Sequence, residues 1–410
     1  MKILIISQYF PPEVGAAATR WSEYAGILAS DGHEVVVISE LPNYPSGEIA
    51  KGYPKWSFYE EDTNTDNLRV IRVPVWANQR KTTIQRLGFY TSFMLSATIR
   101  ALLLPKFDMI IVSSPPLFVG LVASFIRPFK RAKYVLDLRD VWPESARVLG
   151  EIRSRSMFRF GKFLERMVYR SVDAFLLAVP GFRNYLESEF EQHRSKPKMD
   201  MMNGVSDSFL RRIEKLEKNH PPSEFTVLFS GNIGLAQGLE TVLDAAHQLR
   251  DEQIHFKLIG DGAKFDEITK YADSLDLDKV SIRSSIPREE LISEIQQAQL
   301  CLVPLVKSPL FLNAIPSKML EYMAAGKPVV VGIRGEVESL LERSGGGISI
   351  DPENPEALTE AILAYKNDEV RRMAAGAAGH RFIRSEMMKE SIMDDVLRQL
   401  QESLKDDSTS

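Results

Sequence analysis

Short apolar runs alternate with helical patterns along most of the chain. Residues 2–7 are apolar and partly β-branched and read as a strand. Trp21, Ala25 and Leu28 follow at helical spacing, and Gly32-His33 turns the chain into a second strand at 34–39. Further strands are predicted at 68–73, 109–113, 134–137 and 174–178, with helical segments between them. The second half repeats the plan, with strands predicted at 226–230, 255–259, 280–283, 300–304, 329–332 and 348–350. Helices are predicted there at 239–249, 265–274, 288–298, 317–325 and 355–365. Uninterrupted apolar strands separated by helices predict parallel sheets covered on both faces.

The two halves meet at the polar stretch 211–224, which holds Lys215, Glu217, Lys218, Asn219, Pro221 and Pro222 and has no apolar periodicity. The expected architecture is α/β: two doubly wound, Rossmann-like parallel-sheet domains at 1–205 and 206–384. A C-terminal helix near 385–403 is expected to pack back on the first domain. Two such domains facing each other would share a cleft at the carboxyl ends of their strands, where ligands bind. The polar tail 405–410 is expected to fray.

Length and charge narrow the picture. The 410 residues exceed what one core usually organises, so two domains are expected on size alone. The net charge of -4 argues against a general nucleic-acid binder. The single cysteine, Cys301, sits in an apolar strand and reads as an inert core thiol. One cysteine allows no disulfide within the chain, which fits a reducing compartment. Residues 1–7 are too short for the apolar region of a signal peptide. The most apolar stretch, 87–104, is interrupted by Arg100 and falls short of the ~20 apolar residues of a membrane span. A cytoplasmic protein is expected.

Candidate chemistry lies in the loops after strands. The first strand leads into Ser7-Gln-Tyr-Phe-Pro-Pro-Glu-Val-Gly15 and not into a dinucleotide fingerprint. Gly15, followed by three alanines, would let a substrate approach the backbone or would simply turn the chain. Ser230-Gly-Asn-Ile-Gly-Leu-Ala-Gln-Gly238 follows a strand and precedes a helix. Gly231 and Gly234 permit a tight turn, and amides near a helix N-terminus suit a diphosphate. Gly260-Asp261-Gly262 also directly follows a strand.

The segment 311–330, Phe-Leu-Asn-Ala-Ile-Pro-Ser-Lys-Met-Leu-Glu-Tyr-Met-Ala-Ala-Gly-Lys-Pro-Val-Val, is the most specific. Pro316 approaches a helix for which Ser317 is the expected N-cap. Lys318 then stands in the first turn, where a cation opposes the helix dipole. Such a placement suits a bound anion. Glu321 lies three residues on, on the same face, and could accept hydrogen bonds from a ribose diol. The alternative is a surface Lys–Glu pair.

This segment resembles the donor-binding signature of glycosyltransferase family 4, retaining enzymes of the GT-B fold. The family pattern is Glu-x7-Glu, then small residues and Gly-x-Pro. Glu321 matches the second glutamate, Ala325-Gly326-Lys327-Pro328 match the tail, and Asn313 replaces the first glutamate. In the family that glutamate lies near the transferred sugar. The glycine loop departs too, because Asn232 and Gln237 stand where the family often has an arginine and a lysine. Lys318 is the candidate to supply the missing charge. Gly-Asn-x-Gly-x-Ala-Gln-Gly with Pro-Ser-Lys-x-x-Glu-Tyr-Met looks like a bacterial surface-polysaccharide subgroup that includes fucosamine-type transferases. Tyr9-Phe-Pro-Pro-Glu13 and Asp137-Leu-Arg-Asp-Val-Trp-Pro-Glu144 fit the same subgroup.

The resemblance implies an acceptor-binding first domain and a nucleotide-sugar-binding second domain. The expected donor-binding set is Gly15, Gly231, Asn232, Gly234, Gln237, Gly260, Asp261, Gly262, Ile286, Ile315, Pro316, Ser317, Lys318 and Glu321. The expected catalytic set is Arg139, Asp140, Asn313 and Lys318. Arg139 would contact phosphate through its guanidinium fork, and Asp140 would orient or deprotonate the acceptor hydroxyl. An Arg–Asp pair that merely fixes the loop is the alternative. The donor would be a nucleoside-diphosphate sugar, UDP-linked and carrying an N-acetylated amino sugar. The acceptor would be a glycan on a polyprenyl diphosphate. No cofactor is expected, and the loop amides and Lys318 would stand in for a metal.

Residues 127–170 hold twelve Lys or Arg against five Asp or Glu in a chain that is negative overall. Phe158, Phe160, Phe163, Leu164, Met167 and Val168 alternate there with Arg155, Arg159, Lys162, Arg166 and Arg170. A basic amphipathic helix of this kind lies in an anionic membrane interface or packs on a core with a solvated basic face. With the apolar stretch 87–104 it predicts peripheral attachment at the inner face of the cell membrane. Two rivals remain: a sugar-nucleotide 2-epimerase of the same fold, and a catalytically silent sugar-nucleotide-binding partner, which Asn313 favours.

Overall fold

Strands β1 (Lys2–Ile6) and β2 (Glu34–Glu40) are apolar on both sides, and the two faces of their sheet bury separate cores. The computed structural model describes residues 1–406 except 14, 45, 62, 64, 149–151, 153, 191, 192 and 216–223. The expected break at 211–224 therefore lies largely outside the described residues, as do residues 407–410 of the tail. The chain divides into two units, residues 1–202 with 392–410, and residues 203–391.

In the amino-terminal unit, α1 (Ala16–Ser30) joins β1 to β2, and β3 (Tyr59–Glu61) and β4 (Leu68–Val73) follow. The chain continues through α2 (Thr83–Leu103), β5 (Met109–Ser114), α3 (Leu117–Ile126), β6 (Lys133–Leu138), α4 (Glu144–Val148) and α5 (Arg155–Ser171). It ends in β7 (Ala174–Leu177), α6 (Phe182–Glu189) and β8 (Lys198–Asp200). The strand order is β3-β4-β2-β1-β5-β6-β7-β8, parallel except for β3, which runs antiparallel to β4. Ile3, Ile5, Val35 and Val37 face one core with α1, while Leu4, Ile6, Val36 and Ile38 face the other with α2, α3 and α5. Helix α2 starts at a reciprocal cap in which Thr82 accepts from the Gln85 amide and Gln85 accepts from that of Thr82.

The carboxy-terminal unit runs α7 (Asp207–Lys215), β9 (Phe225–Ser230), α8 (Leu239–Gln248), β10 (Ile254–Ile259), α9 (Phe265–Ser274), β11 (Val280–Arg283) and α10 (Arg288–Gln297). Strand β12 (Leu300–Pro304), a 3-10 turn (Pro309–Asn313), α11 (Ser317–Ala324), β13 (Val329–Gly332), α12 (Glu336–Ser344) and β14 (Gly347–Ser349) come next. Helices α13 (Pro355–Asn367) and α14 (Glu369–Glu386) complete it. Asn354 and Asp368 cap these last two helices by accepting from Ala357 and Arg371 amides. The sheet order is β11-β10-β9-β12-β13-β14, all parallel.

Each sheet winds outward from its first strand in one direction and then resumes on that strand's other side. The switch falls between β1 and β5 in the first unit and between β9 and β12 in the second. That point is where open α/β sheets bind ligands, beyond the carboxyl ends of the strands. Helix α15 (Lys389–Asp406) returns to the first unit, where Ile392, Met393, Val396, Leu397 and Leu400 enter the core shared with β1, β2 and α1. No helix among the described residues is long and apolar enough to cross a membrane.

Candidate functional site

The glycine loop begins where β9 ends, at the switch point of the second sheet. Ser230 closes the strand by donating its amide to the Tyr322 hydroxyl on α11, at 2.9 Å. Gly231 follows with φ +135°, and its amide donates to Ile259 O. Ile233 donates to Asp261 O, so the loop after β9 is stitched to the loop after β10. This approach needs glycine at Gly260, where a Cβ would overlap the Gly231 carbonyl, and at Gly262, where it would overlap that of Ile233. The amides of Gly231 and Ile233 are thus spent inside the protein. Those of Asn232 and Gly234 have no acceptor among the described residues, so the expected amide cradle is narrower than the loop's sequence suggests.

Helix α8 starts at Leu239, with Gly238 in the left-handed region before it. Gln237 is half-buried, and its side-chain oxygen has no partner among the described residues. Asp261 accepts from the Ser285 amide at 3.0 Å, and the amide and hydroxyl of Ser285 hold its carboxyl below the ordinary value. Ile286 is half-buried just beyond, in the loop after β11.

Helix α11 enters the same edge after β12. Its N-cap is Pro316, in an extended conformation and with no side-chain cap, and Ser317 is already helical. This corrects the expected Ser317 cap: Pro316 fixes the turn by its ring, and no serine hydroxyl covers the first amides. Lys318 is half-buried, with its ammonium 4.3 Å from the centre of the Phe229 ring. A Cβ on Gly231 would lie 2.6 Å from its Nζ. Among the described residues no acceptor lies within hydrogen-bond or ion-pair reach of that ammonium. Lys257 and Lys264 of the same unit are, by contrast, paired with Glu294 and Glu240. Burial pulls the Lys318 amine down to about 8, partly offset by Glu321.

Glu321 is not an open carboxylate. Its Oε1 accepts from Arg288 Nη2 at 2.6 Å, across from the start of α10. Asn313 is exposed at the end of the 3-10 turn, and Ile315 is half-buried between that turn and α11. The structure therefore gathers Gly231, Asn232, Gly234, Gln237, Gly260, Asp261, Gly262, Ile286 and the 313–321 segment at one edge of one sheet. Phe229 beneath Lys318, Tyr322 behind Ser230 and Arg288 beside Glu321 belong to this edge as well. Only Tyr322 had a sequence signal, its helical spacing from Lys318.

The remaining candidates lie in the amino-terminal unit. Gly15 is exposed before α1 with φ +153°, and open space surrounds the position of a Cβ. Arg139 and Asp140 follow β6. The charge expected there is largely neutralised inside the fold. Asp137 is fully buried and accepts from Arg20 at 2.9 Å, Trp21 at 2.7 Å and Ser113 at 2.8 Å. Arg139 lies 3.6 Å from Asp137 and donates to Pro115 O, and burial lowers the pKa of its guanidinium. Asp140 accepts from the Val141 amide and the Ser145 hydroxyl, both at 2.8 Å, and burial raises its carboxyl above the ordinary value. Asp137 is structural, and Asp140 orders the turn into α4. Cys301 is buried, with its thiol pushed up to about 12 by desolvation.

The outer surface of this unit carries exposed apolar side chains. Helix α3 packs between α2 and α5. On α2, Ile84, Leu87, Leu95, Ile99 and Leu103 are exposed, and on α5 so are Met157, Phe160 and Phe163, with Phe125 and Phe129 between. Arg155, Arg159, Arg166 and Arg170 share the exposed face of α5. Leu164 and Val168 instead enter the core, so the helix packs one apolar side inward and exposes basic and aromatic side chains on the other. Residues 149–151 and 153 of the basic stretch lie outside the described residues.

Comparison with known proteins bears on both halves of the chain. The family described as "Glycosyl transferase 4-like domain" matches residues 15–194, and "Glycosyl transferases group 1" matches residues 211–382. The chain is 25% identical over 401 residues to a putative colanic acid biosynthesis glycosyl transferase, WcaI, of Escherichia coli K12, covering 91% of this chain and 95% of that protein. Sucrose-phosphate synthase from Thermosynechococcus elongatus superposes with a TM-score of 0.74 at 17% identity, over 98% of this chain and 99% of that one. Anabaena HepE, solved in complex with UDP and glucose, superposes with a TM-score of 0.68 at 15% identity, over 98% and 99%. The chain has the GT-B fold and carries a glycosyl transferase 4-like domain followed by a glycosyl transferases group 1 domain.

Proposed function

We propose that this protein is a retaining glycosyltransferase that moves an N-acetylated amino sugar from a UDP-sugar to a glycan carried on a polyprenyl diphosphate, in the synthesis of a bacterial surface polysaccharide. The observation that carries the reading is Lys318, a half-buried cation with no acceptor in reach among the described residues, set against the Gly231 turn at the β9/β12 switch point. Burying a charge without a partner is costly, and a bound anion would offset that cost. The free amides of Asn232 and Gly234 add donors of the right sign. HepE, of like fold, binds UDP, and the Escherichia coli relative is named for colanic acid biosynthesis, which supports the donor class and the polysaccharide setting.

In this reading the carboxy-terminal unit holds the donor. Breaking the bond from the anomeric carbon to the diphosphate leaves charge on the leaving group, which Lys318 and the loop amides stabilise without a metal ion. Glu321 receives the ribose hydroxyls. The amino-terminal unit takes the acceptor, with Asp140 near its hydroxyl and Arg139 near its diphosphate. The exposed Phe160 and Phe163 among arginines then rest on an anionic membrane surface, where a polyprenyl carrier is found.

The test is binding of UDP by calorimetry and by thermal shift, since a ligand held only by the folded state raises its melting temperature. Lys318→Ala is expected to weaken UDP by roughly 1.5–3 kcal/mol, the range of a charged hydrogen bond. Equal affinity in wild type and variant would remove Lys318 from the site. UDP-sugar turnover that needs no acceptor and returns an epimerised sugar would favour the epimerase instead.

A further inference from the structure

Glu321 would be expected to wait for ribose as a free carboxylate, but it is already held. Arg288 Nη2 donates to its Oε1 at 2.6 Å. Arg288 is the first residue of α10, at the end of the loop after β11, and Glu321 lies in α11, so the pair ties two helices that are 33 positions apart in sequence. The guanidinium is itself seated, with its carbon 4.9 Å from the centre of the Phe209 ring of α7. Phe209 is buried, so the ring is a fixed platform. Lys318, one turn before Glu321, is not within ion-pair distance of that carboxylate.

Only Oε1 of Glu321 is engaged by Arg288. The other oxygen has no donor among the described residues. A carboxylate has about four acceptor sites, so one guanidinium contact leaves room for a vicinal diol. A planar, permanently charged guanidinium also fixes the plane of a carboxylate better than an ammonium does. The side chain of Glu321 is ordered before a ligand arrives, and the entropy of ordering it is not lost on binding.

We infer that Arg288, seated on Phe209, is a positioning residue that presets the Glu321 carboxylate for the 2′- and 3′-hydroxyls of the donor's ribose. It acts through Glu321 and sets how strongly the site prefers ribose over deoxyribose. The inference rests on the reading of Glu321 as the ribose acceptor, and it adds a residue to which neither the glycine loop nor the 311–330 segment points.

The experiment compares UDP with 2′-deoxy-UDP by calorimetry on the full chain. Wild type is expected to prefer UDP. Arg288→Ala is expected to weaken UDP by about 3- to 10-fold, the scale of immobilising one side chain, and 2′-deoxy-UDP by much less, so the preference shrinks. Arg288→Lys should recover part of it. Phe209→Leu, which keeps an apolar seat but removes the ring, should shift the preference in the same direction by less. Glu321→Ala should abolish the preference, and adding Arg288→Ala to it should change nothing further, as expected of two residues acting through one contact. An unchanged preference in Arg288→Ala, with Glu321→Ala still abolishing it, overturns the role of Arg288 and leaves Glu321 standing. A preference untouched by Glu321→Ala overturns both. A wild type that binds neither nucleotide removes the donor site itself.

Discussion

Lys318 couples the site to pH with opposite signs for binding and for folding. Burial holds its amine at about 8, against 10.5 for an ordinary lysine. A diphosphate prefers the charged form, so affinity for UDP should be steady near neutral pH and fall as pH rises through about 8. Binding near pH 8 should therefore take up protons, visible as a dependence of the calorimetric heat on the buffer's ionisation enthalpy. The unliganded fold should behave the other way. Between about 8 and 10.5 the unfolded chain holds the proton that the folded one has lost, so this residue makes the fold more stable as pH rises across that window. In Lys318→Ala the pH dependence of UDP affinity should be flat over the same range. A variant whose profile follows that of wild type would place the titrating group elsewhere.

The placement of the candidate residues could be read in sequence, because Lys318, Glu321 and the glycines each stand at a fixed distance from a strand or helix end. What could not be read were the partners. Arg288 meets Glu321 across 33 positions, and Arg20 reaches Asp137 across 117, so no local spacing announces either pair. Asp137 opens the 137–144 phrase, yet the strand that carries it points it into the protein, where Arg20, Trp21 and Ser113 take both its oxygens.

At the scale of elements, strands with a run or alternation of apolar residues were legible and those without were not. The expected 68–73, 280–283, 300–304 and 329–332 coincide with β4, β11, β12 and β13. Strand β3, Tyr-Glu-Glu, is a short antiparallel edge with no apolar run, and β8 is three residues long. Neither buries enough to leave a pattern. The contact between the loops after β9 and β10 is also an element-level device, and it allows a direct test. Gly260→Ala would push a methyl group into the Gly231 carbonyl at a backbone φ of +158°. A fall in stability of about 3 kcal/mol or more is expected, since backbone cannot yield as a side-chain tip can. Gly26→Ala, inside α1 with open space around the new methyl, should instead stabilise by about 0.5–1 kcal/mol. Equal melting temperatures for the two variants in denaturation experiments would show that the loops are not locked together.

Over the whole molecule, charge is segregated. The chain carries -4 in total, while residues 127–170 carry an excess of seven positive charges. The exposed aromatic side chains of α5 lie within that excess. Phe160→Ser with Phe163→Ser is expected to reduce binding to vesicles of phosphatidylcholine with 30% phosphatidylglycerol by tenfold or more, because each buried ring contributes about 1.5–3 kcal/mol. Raised salt should weaken the wild type on the same vesicles. Sedimentation with the vesicles reads both effects, and binding that is indifferent to the two phenylalanines would move any membrane contact to another surface.

Helix α15 has a consequence for how the molecule is made. Ile392, Met393, Val396, Leu397 and Leu400 form part of the wall behind the first sheet, so the half made first is completed by a stretch made only after the whole second unit. Until then Ile3, Val35 and Met109 lack part of their cover. Residues 203–391, which form the second unit, are all made before that wall is complete.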